Sequence, residues 1–449
     1  MRAHSGYGSD GAARDFGTVG RVRRSTWWWA WACIGVLTTC RGPLAAGEIP
    51  VVRPEQVGMR ADLPQTVGSI MNELIERKKL AGGVVIIARH GKIAHWASYG
   101  RMDVEADKPM RKDAIFRIYS MTKAIVTAAA LQLYDAGKLD LDAPVARYLP
   151  ELKGVRVWDS GETRPPKTTL TVRDLMRHTS GFSYGRTGVD QIDRAFRRAK
   201  LLDRDVDLAE FTRRLADVPL LFDPGTDWKY GVSIDVLGRV VEVVSGQPLD
   251  VYLRKRIFEP LDMRDTAFFV PDEKLDRFTV NYRRTLRGGL TPLDRPETSR
   301  YRRKPKFLSG GGGLVSTARD YLRFLLAISQ GGVLEGRRIL KAETVRLMTT
   351  NQLPERVGWI KFGKQVREGV GFGLGFSVRV KPSRWDPDAR IGEYGWGGAA
   401  STHYWVSPRD DLIVVTLEQV MPFSFATEFA LKKPIYQAIV DGGTDASEK

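Results

Sequence analysis

The sequence predicts an α+β protein with two lobes, in which helices flank an antiparallel sheet built from both chain ends and an all-helical lobe is inserted. Three observations predict this arrangement. Strand patterns occur near both ends of the 449-residue chain, at 81–100 and 371–420; the middle is mostly helix and loop; and hydrophobic residues make up 43%, enough for a sizeable core. We expect the sheet lobe over about 48–115 and 308–449, and the helical lobe over about 116–307.

The first elements along the chain are a short helix, a hairpin and a longer helix. Residues 66–79 have a helical pattern, and the strands Val84–Ala88 and Lys92–Tyr99 flank a predicted turn at His90-Gly91. Ala124–Ala136 is rich in alanine and leucine and is followed by Gly137, which is typical of a helix end. These patterns place a helix directly after the sequence Tyr-Ser-Met-Thr-Lys.

Capping residues, strand patterns and turn residues also predict the remaining elements. A short helix is expected within 171–182, capped by Thr171, and another within 233–246, with Ser233 as its N-cap and Gly246 after its end. Three strands and a closing helix complete the chain. They are predicted at 371–380, 401–408, 411–420 (with a turn at 408–411) and about 424–440.

The first 47 residues predict an export signal. Arg21–Arg24 is basic, 27–39 is apolar but shorter than the ~20 residues of a membrane span, and small residues follow at 43–48. We therefore expect cleavage, a mature domain at 48–449 without a stable membrane span, and a periplasmic or secreted location. A lipid anchor at Cys40 is left open, because the residues before it loosely resemble a lipoprotein box.

Charge and cysteine content exclude several classes of function. The net charge of +17 is spread over scattered arginines without any nucleic-acid-binding motif, so no nucleic-acid partner is predicted. The two cysteines, Cys33 and Cys40, both lie in the predicted signal, which leaves the mature chain without a disulfide, a thiol nucleophile or a cysteine metal site. No metal or cofactor is predicted.

A serine and a lysine are the first candidates for chemistry. Ser120 and Lys123 lie three residues apart at the start of the predicted helix, so their side chains share a face. A helix N-terminus stabilises negative charge, and a lysine with a lowered pKa can accept a proton. The same spacing is also common for an N-cap serine beside a surface lysine.

Two further stretches supply complementary groups. Tyr230 stands before a predicted helix, and a phenol beside a cation can relay a proton, although a lone tyrosine more often packs a loop. Trp396, Gly397 and Gly398 precede a strand. Glycines there allow a ligand to approach the backbone, so the N–H groups of Ala399 and Ser120 are candidates for an oxyanion hole. A simple hairpin turn is the alternative.

Two other motifs resemble functional sites but lack the residues or elements that those sites require. The glycine run in 308–325 lacks the Gly-Lys-Ser/Thr of a phosphate-binding loop and instead predicts a tight crossing between the lobes. Gly181–Gly185 matches the G-x-S-x-G pattern around Ser183, but no strand precedes it, as that nucleophile requires. His178 is expected to bond backbone groups in its loop, and His403 falls inside a strand.

Five motifs together resemble a known family. "SMTK", "HTSGF", "DPGTDWKY", "GGGLVSTARD" and "EYGWGGAASTHYW" occur in the order seen in class C β-lactamase-like serine hydrolases, which include penicillin-recognising DD-peptidases and related esterases and transesterases. The resemblance covers about 60–440. It implies a β-lactamase/transpeptidase-like fold and a Ser/Lys/Tyr mechanism without metal.

The resemblance also implies roles and a substrate preference. Ser120 would be the nucleophile, Lys123 its proton partner and Tyr230 the general base or acid, while Trp396–Gly398 would bind substrate. The family's Y-x-N is here Tyr230-Gly231-Val232 and its K-T-G is Trp396-Gly397-Gly398, so an amide and a cation that bind β-lactams are missing. These changes favour an esterase that accepts an uncharged acyl ester or amide in an apolar cleft.

Three functions remain open from the sequence. The favoured one is a serine hydrolase that acts on carboxylic esters or related small acyl substrates. The second is a β-lactamase or DD-peptidase, and the third is a non-catalytic envelope protein that only binds its ligand. The sequence does not predict the oligomeric state.

Overall fold

Strands from both ends of the chain form one large sheet in the computed structural model, which describes residues 47–203 and 205–440. The predicted signal segment and Cys40 lie outside the described residues. The strands are β1 Gly82–Arg89, β2 Lys92–Asp103, β3 Lys108–Pro109, β4 Phe116–Arg117, β5 Val157–Asp159, β6 Glu162–Arg164, β7 Asn281–Arg284, β8 Leu290–Asp294, β9 Val315–Ser316, β10 Val333–Leu334, β11 Arg337–Arg338, β12 Lys361–Phe362, β13 Gln365–Val366, β14 Val370–Phe372, β15 Ser377–Arg379, β16 Tyr394–Gly398, β17 Thr402–Ser407, β18 Leu412–Glu418 and β19 Val420–Met421.

The helices are distributed between the sheet faces and the middle of the chain. They are α1 Leu63–Glu76, α2 Thr122–Asp135, α3 Val172–Met176, α4 Asp190–Ala199, α5 Leu208–Leu215, α6 Ser233–Ser245, α7 Leu249–Leu253, α8 Ala318–Ser329, α9 Ala342–Thr349 and α10 Ala426–Gln437. No helix in the described part of the chain is both long and apolar enough to span a membrane.

The main sheet is antiparallel and joins the two ends of the chain at its centre. Its order is β14-β15-β16-β17-β18-β1-β2-β3, and β1 pairs with β18 along its length, with Ile87 opposite Val414. The predicted fold class, a sheet built from both chain ends and flanked by helices, is therefore confirmed. The lobe boundaries at 116 and 307 stay predictions.

Two hydrophobic cores lie on opposite faces of the sheet because successive side chains of a strand alternate. Val85 and Ile87 of β1 pack with residues of α1 and α10 in a smaller core. Val84 and Ile86 face the other way, into a larger core that continues into the helices of the middle of the chain. The helical lobe is thus packed against the sheet by one continuous apolar interior.

Most predicted elements are present, and three predictions need correction. The stretch predicted as one strand at 371–380 is a hairpin of β14 and β15, with Gly375 at a positive φ of 86° between them. Ser233 is not an N-cap: it is the first residue of α6, Val232 precedes it, and its hydroxyl lies 2.8 Å from that of Ser180. The middle of the chain also contains the pair β7–β8, which β19 extends in parallel.

Candidate active site

A strained turn holds Ser120 at the start of α2. The short β4 ends at Arg117, and a 3₁₀ turn over Tyr119–Met121 leads directly into the helix. Tyr119 has a φ of 42°, in the left-handed region that costs a non-glycine residue energy. Its hydroxyl accepts a hydrogen bond from Asn281 Nδ2 at 3.1 Å, which helps hold this geometry. The turn directs the Ser120 side chain towards the adjacent cavity.

Lys123 is buried next to this serine. Only 1% of the residue is exposed, and its Nζ lies 3.3 Å from Ser120 Oγ, 3.2 Å from Tyr184 OH and 2.5 Å from Gly311 O. All three oxygens lie within hydrogen-bond reach of Nζ. The structure therefore brings Ser120 and Lys123 together, as their spacing predicts, and it rules out the alternative of a surface lysine.

The glycine run after residue 308 brings a carbonyl to this lysine. Gly311 packs so closely on α6 that a Cβ there would lie 2.4 Å from Asp235 Oδ2. Asp235 in turn accepts hydrogen bonds from the Gly311 N–H and the Ser309 hydroxyl. Burial raises the pKa of Asp235, although Lys123 acts in the opposite direction. This is the tight crossing that the sequence predicts.

Tyr230 contacts Lys123 with its ring rather than with its hydroxyl. Lys123 Nζ lies 4.5 Å from the centroid of the Tyr230 ring, within the range of a cation–π contact. The Tyr230 hydroxyl accepts a hydrogen bond from Trp396 Nε1 at 3.2 Å. Tyr230 therefore borders the site with its ring, and its hydroxyl faces Trp396.

The imidazole ring of His178 packs against the ring of Tyr230. Its nitrogens do not bond the backbone, contrary to the prediction. Its ring lies 4.8 Å from the ring of Tyr230 and 5.5 Å from that of Phe372, and neither ring nitrogen has a hydrogen-bond partner among the described residues. Burial, together with Lys123, holds the pKa of His178 well below its usual value. The imidazole is therefore a neutral packing group near the site.

The sequence did not single out Tyr184, which touches the catalytic candidates directly. It follows Ser183 in the G-x-S-x-G stretch, a loop without a preceding strand in which Ser183 Oγ accepts a hydrogen bond from Gly185 N. Burial raises the pKa of Tyr184 well above its usual value, so its phenol stays protonated near neutral pH. The only sequence signal was its place in the "HTSGF" loop, two residues after that motif.

The end of β16 forms the other side of the site. Trp396, Gly397 and Ala399 line the cavity that contains Ser120, and β16 turns into β17 directly afterwards. Gly398 instead packs against the backbone before Ser120, where a Cβ would lie 2.4 Å from Ile118 O. Ser120 and Ala399 both line this cavity, so their N–H groups stay the candidates for an oxyanion hole.

The cavity next to Ser120 has a volume of about 490 Å³ and mixed walls. Aromatic rings of Tyr230, Trp396 and Phe362 line it together with Ser120. Charged side chains line it as well, most of them buried, and we call the part that they line its inner end. The sequence predicts an apolar cleft, and the structure adds charged side chains to its aromatic walls. His403 lies next to these charged groups, where its Nδ1 is 3.0 Å from Glu428 Oε2, and it does not contact Ser120.

Three carboxylates at the inner end are spaced closely enough to bind a cation. Oxygens of Asp386, Glu393 and Glu428 lie within 4.8 Å of one another. Lys432 Nζ lies 2.8 Å from an oxygen of each, so a buried ammonium of the chain itself already neutralises this group. The three acids therefore form an internal ion cluster with Lys432.

Comparison with known proteins decides the family. The family model described as Beta-lactamase matches residues 67–433, which is most of the chain. The chain belongs to the beta-lactamase family. The resemblance stated from the five sequence motifs is thereby confirmed.

The relatives of this beta-lactamase-family protein include esterases. Esterase EstB of Burkholderia gladioli is 34% identical over 369 residues, covering 78% of this chain and 88% of EstB. Lovastatin esterase of Penicillium rubens is 28% identical over 341 residues, covering 70% of this chain and 82% of that protein. These matches make the family member a hydrolytic enzyme of the beta-lactamase-related type.

A solved structure supports the same assignment. EstCE1, described as a hydrolase with promiscuous acyltransferase activity, superposes with a TM-score of 0.73 at 27% identity, covering 84% of this chain and 98% of EstCE1. This similarity extends over the sheet and the inserted helices together. The beta-lactamase-family fold of the chain is therefore shown both by sequence and by structure.

Proposed function

We propose that this enzyme hydrolyses carboxylic esters through an acyl-enzyme on Ser120. One observation carries the proposal: the buried Nζ of Lys123 lies 3.3 Å from Ser120 Oγ beside an open cavity. As Ser120 Oγ bonds to the ester carbonyl carbon, its proton passes to the neutral amine form of Lys123. When the bond to the alkoxide breaks, Lys123, with Tyr230 beside it, returns the proton to the alkoxide, which leaves as an alcohol. Water then attacks the acyl-enzyme, and the acid and free serine are released.

Two backbone donors would stabilise the charge that develops on the carbonyl oxygen. Ser120 and Ala399 both line the cavity, and their N–H groups would donate to the oxyanion. Donors that are already oriented stabilise an oxyanion without reorganising, and removing one such donor typically costs about 10²- to 10³-fold in kcat. The esterase activity named for EstB and lovastatin esterase supports an ester as the small acyl substrate.

Replacement of two serines tests the nucleophile. We expect Ser120→Ala to lower turnover of p-nitrophenyl acetate by ~10³-fold or more, because the covalent step is lost. Ser183→Ala is the matched control, since Ser183 is the serine of the G-x-S-x-G stretch, and it should retain most activity. Full activity of Ser120→Ala would contradict the mechanism. Loss of activity in Ser183→Ala alone would identify Ser183 as the nucleophile instead.

Labelling separates the enzyme from the two remaining alternatives. A fluorophosphonate probe with mass mapping should modify Ser120, whereas a protein that only binds its ligand would not be labelled. Because the cation of K-T-G is replaced by Trp396, we expect little hydrolysis of nitrocefin and no stable penicillin adduct. Nitrocefin turnover that equals ester turnover would favour a β-lactamase instead.

Acyl transfer is a second candidate function. The similarity to EstCE1, described as having promiscuous acyltransferase activity, favours it, because an alcohol can replace water in the attack on an acyl-enzyme. Adding a primary alcohol during ester turnover should then yield a new ester, measured by chromatography. Unchanged acid yield at every alcohol concentration would exclude transfer.

We also propose export of the chain, on the basis of its basic and apolar N-terminal pattern at 1–47. Cell fractionation and N-terminal sequencing of the mature protein test this. Processing near residue 47 and recovery outside the cytoplasm are expected. A cytoplasmic protein with an intact N-terminus would contradict export, and labelling with a fatty-acid probe would reveal lipidation of Cys40.

A further inference from the structure

The inner end of the cavity contains six charged side chains that do not serve the proposed ester chemistry. They are Arg367, Arg379, Asp386, Glu393, Glu428 and Lys432. Charges are costly to bury, so each must either be paired within the protein or await a partner from a ligand. The hydrogen bonds of these six residues separate the two cases.

The acidic side chains are already paired. Lys432 Nζ lies 2.8 Å from an oxygen of Asp386, of Glu393 and of Glu428. The second oxygen of Glu393 accepts a hydrogen bond from the Tyr436 hydroxyl, and that of Glu428 lies 3.0 Å from His403 Nδ1. The carboxylates therefore offer little to a cationic ligand.

The two arginines keep unused donors. Arg379 is only 5% exposed, and its Nη2 lies 3.1 Å from Asp386 Oδ2, but its buried Nε and Nη1 have no acceptor in the described chain. Arg367 donates no side-chain hydrogen bond to a described residue, and its Nε is buried. The Arg367 guanidinium is held by rings instead, 4.3 Å from the centroids of Phe362 and of Trp385.

The electrostatic balance also permits an anion at this end. The six side chains comprise three cations and three anions, so the group carries no excess negative charge that would repel a ligand carboxylate. Burial lowers the pKa of Arg367 to about 10, and the charge of Arg379 acts in the same direction while Glu428 and Asp386 oppose it, so an anion beside Arg367 would favour its charged form. A carboxylate also matches the planar donor fork of a guanidinium better than a neutral carbonyl does.

We propose that Arg367 and Arg379 form a binding site for a carboxylate on the substrate, remote from the ester that Ser120 attacks. The substrate class is then a monoester that also carries a free carboxylate. This inference rests on the proposed ester hydrolysis, since it assigns the substrate of the same cavity. It replaces the uncharged substrate that the missing K-T-G cation suggested, because Arg367, in the connection before β14, and Arg379, in β15, supply the positive charge instead.

Paired substrates test the carboxylate site. p-Nitrophenyl monoesters of linear dicarboxylic acids are compared with p-nitrophenyl alkanoates of the same chain length, over a series of lengths. At the length that spans the cavity, we expect the native enzyme to favour the carboxylate-bearing ester by about tenfold or more in kcat/KM, as charged hydrogen bonds permit. The free dicarboxylic acid of that length should inhibit competitively.

Arginine variants assign the preference to the site. Arg367→Gln should raise KM for the carboxylate-bearing ester by about tenfold and leave the neutral ester within about twofold, because only one substrate loses a partner. Arg367→Lys keeps the charge and should retain part of the preference. Arg384→Gln is the matched control, since Arg384 is exposed beside Trp385 and does not line the cavity.

The outcomes distinguish this inference from the proposed function. Hydrolysis of neutral esters without a carboxylate preference at any length would overturn the carboxylate site and leave the esterase intact. Equal losses of kcat/KM for both esters in Arg367→Gln would also overturn the carboxylate site, because they would indicate a structural role of Arg367. Failure of the native enzyme on every ester would instead contradict the proposed function itself.

Discussion

At the scale of single residues, Tyr184 provides the sharpest test of how the lysine works. Its phenol stays protonated and accepts a hydrogen bond from Lys123 at 3.2 Å, so it fixes Lys123 Nζ beside Ser120. We expect Tyr184→Phe to lower kcat for a p-nitrophenyl ester by about tenfold with little change in KM, because one hydrogen bond that orients the proton carrier is lost. Tyr134→Phe, on an exposed tyrosine, is the control. An unchanged kcat would remove Tyr184 from the proton path.

Glu418 should make the stability of the protein depend on pH. Burial raises its pKa from 4.5 to about 7 in the folded protein, so the folded state binds the proton more tightly than the unfolded state. Its contribution is favourable below pH 4.5 and is lost as pH rises through about 7, which corresponds to about 3 kcal/mol. Glu418→Gln should therefore raise the Tm at pH 8 and leave it nearly unchanged at pH 5, measured by thermal unfolding. An equal shift with the exposed Glu343→Gln would contradict this origin.

Local spacing predicted part of the site and could not predict the rest. Ser120 and Lys123 are three residues apart in one turn, so their proximity follows from helix geometry alone. The contact of Tyr184 with Lys123 joins residues 61 positions apart, and it depends on how the loop after α3 packs. The same holds for Tyr230, whose hydroxyl points to Trp396 because two distant segments meet there.

At the scale of elements, Lys432 fixes α10 to the sheet. It projects from α10 to acids on two other segments, Asp386 and Glu393, and to Glu428 one turn earlier. Lys432→Met would leave three buried carboxylates without their cation, and we expect a loss of about 3–5 kcal/mol in unfolding free energy, measured with denaturant. The neighbouring Lys433 is exposed, so Lys433→Met should change stability by less than about 0.5 kcal/mol. Equal effects of the two variants would contradict the ion cluster.

Elements that end at turn residues in the sequence were predicted correctly. Elements whose limits depend on pairing with distant strands were not. The hairpin of β1 and β2 turns at His90-Gly91, both at positive φ, as the sequence indicates. The stretch 371–380 has three glycines among mostly apolar residues, which fits one strand or two equally well until its pairing with β16 is known. Likewise, β7 pairs not only with β8 but also with β19, more than 100 residues later.

At the scale of the whole molecule, the fold class followed from where the strand patterns lie, but the charged inner end of the cavity did not. Strands at both termini require a sheet that joins the ends, and β18 beside β1 does so. The charged group combines Arg367, Arg379, Asp386 and Lys432 from four separate segments. No pattern in the sequence predicts that these residues come together, because each of them alone is indistinguishable from an ordinary surface charge.

The two lobes should unfold as one unit, because a single core joins them. Ile86 of the sheet and Leu237 of the helical segment are both fully buried in the same apolar cluster. We expect Ile86→Ala and Leu237→Ala each to cost about 2–5 kcal/mol, and each to lower native-state hydrogen-exchange protection equally in peptides from β1 and α6. Val243→Ala, on an exposed position of α6, should change neither peptide. A loss of protection with Leu237→Ala in α6 alone would show that the helical lobe opens independently, and the site between Ser120 and Tyr230 would then open with it.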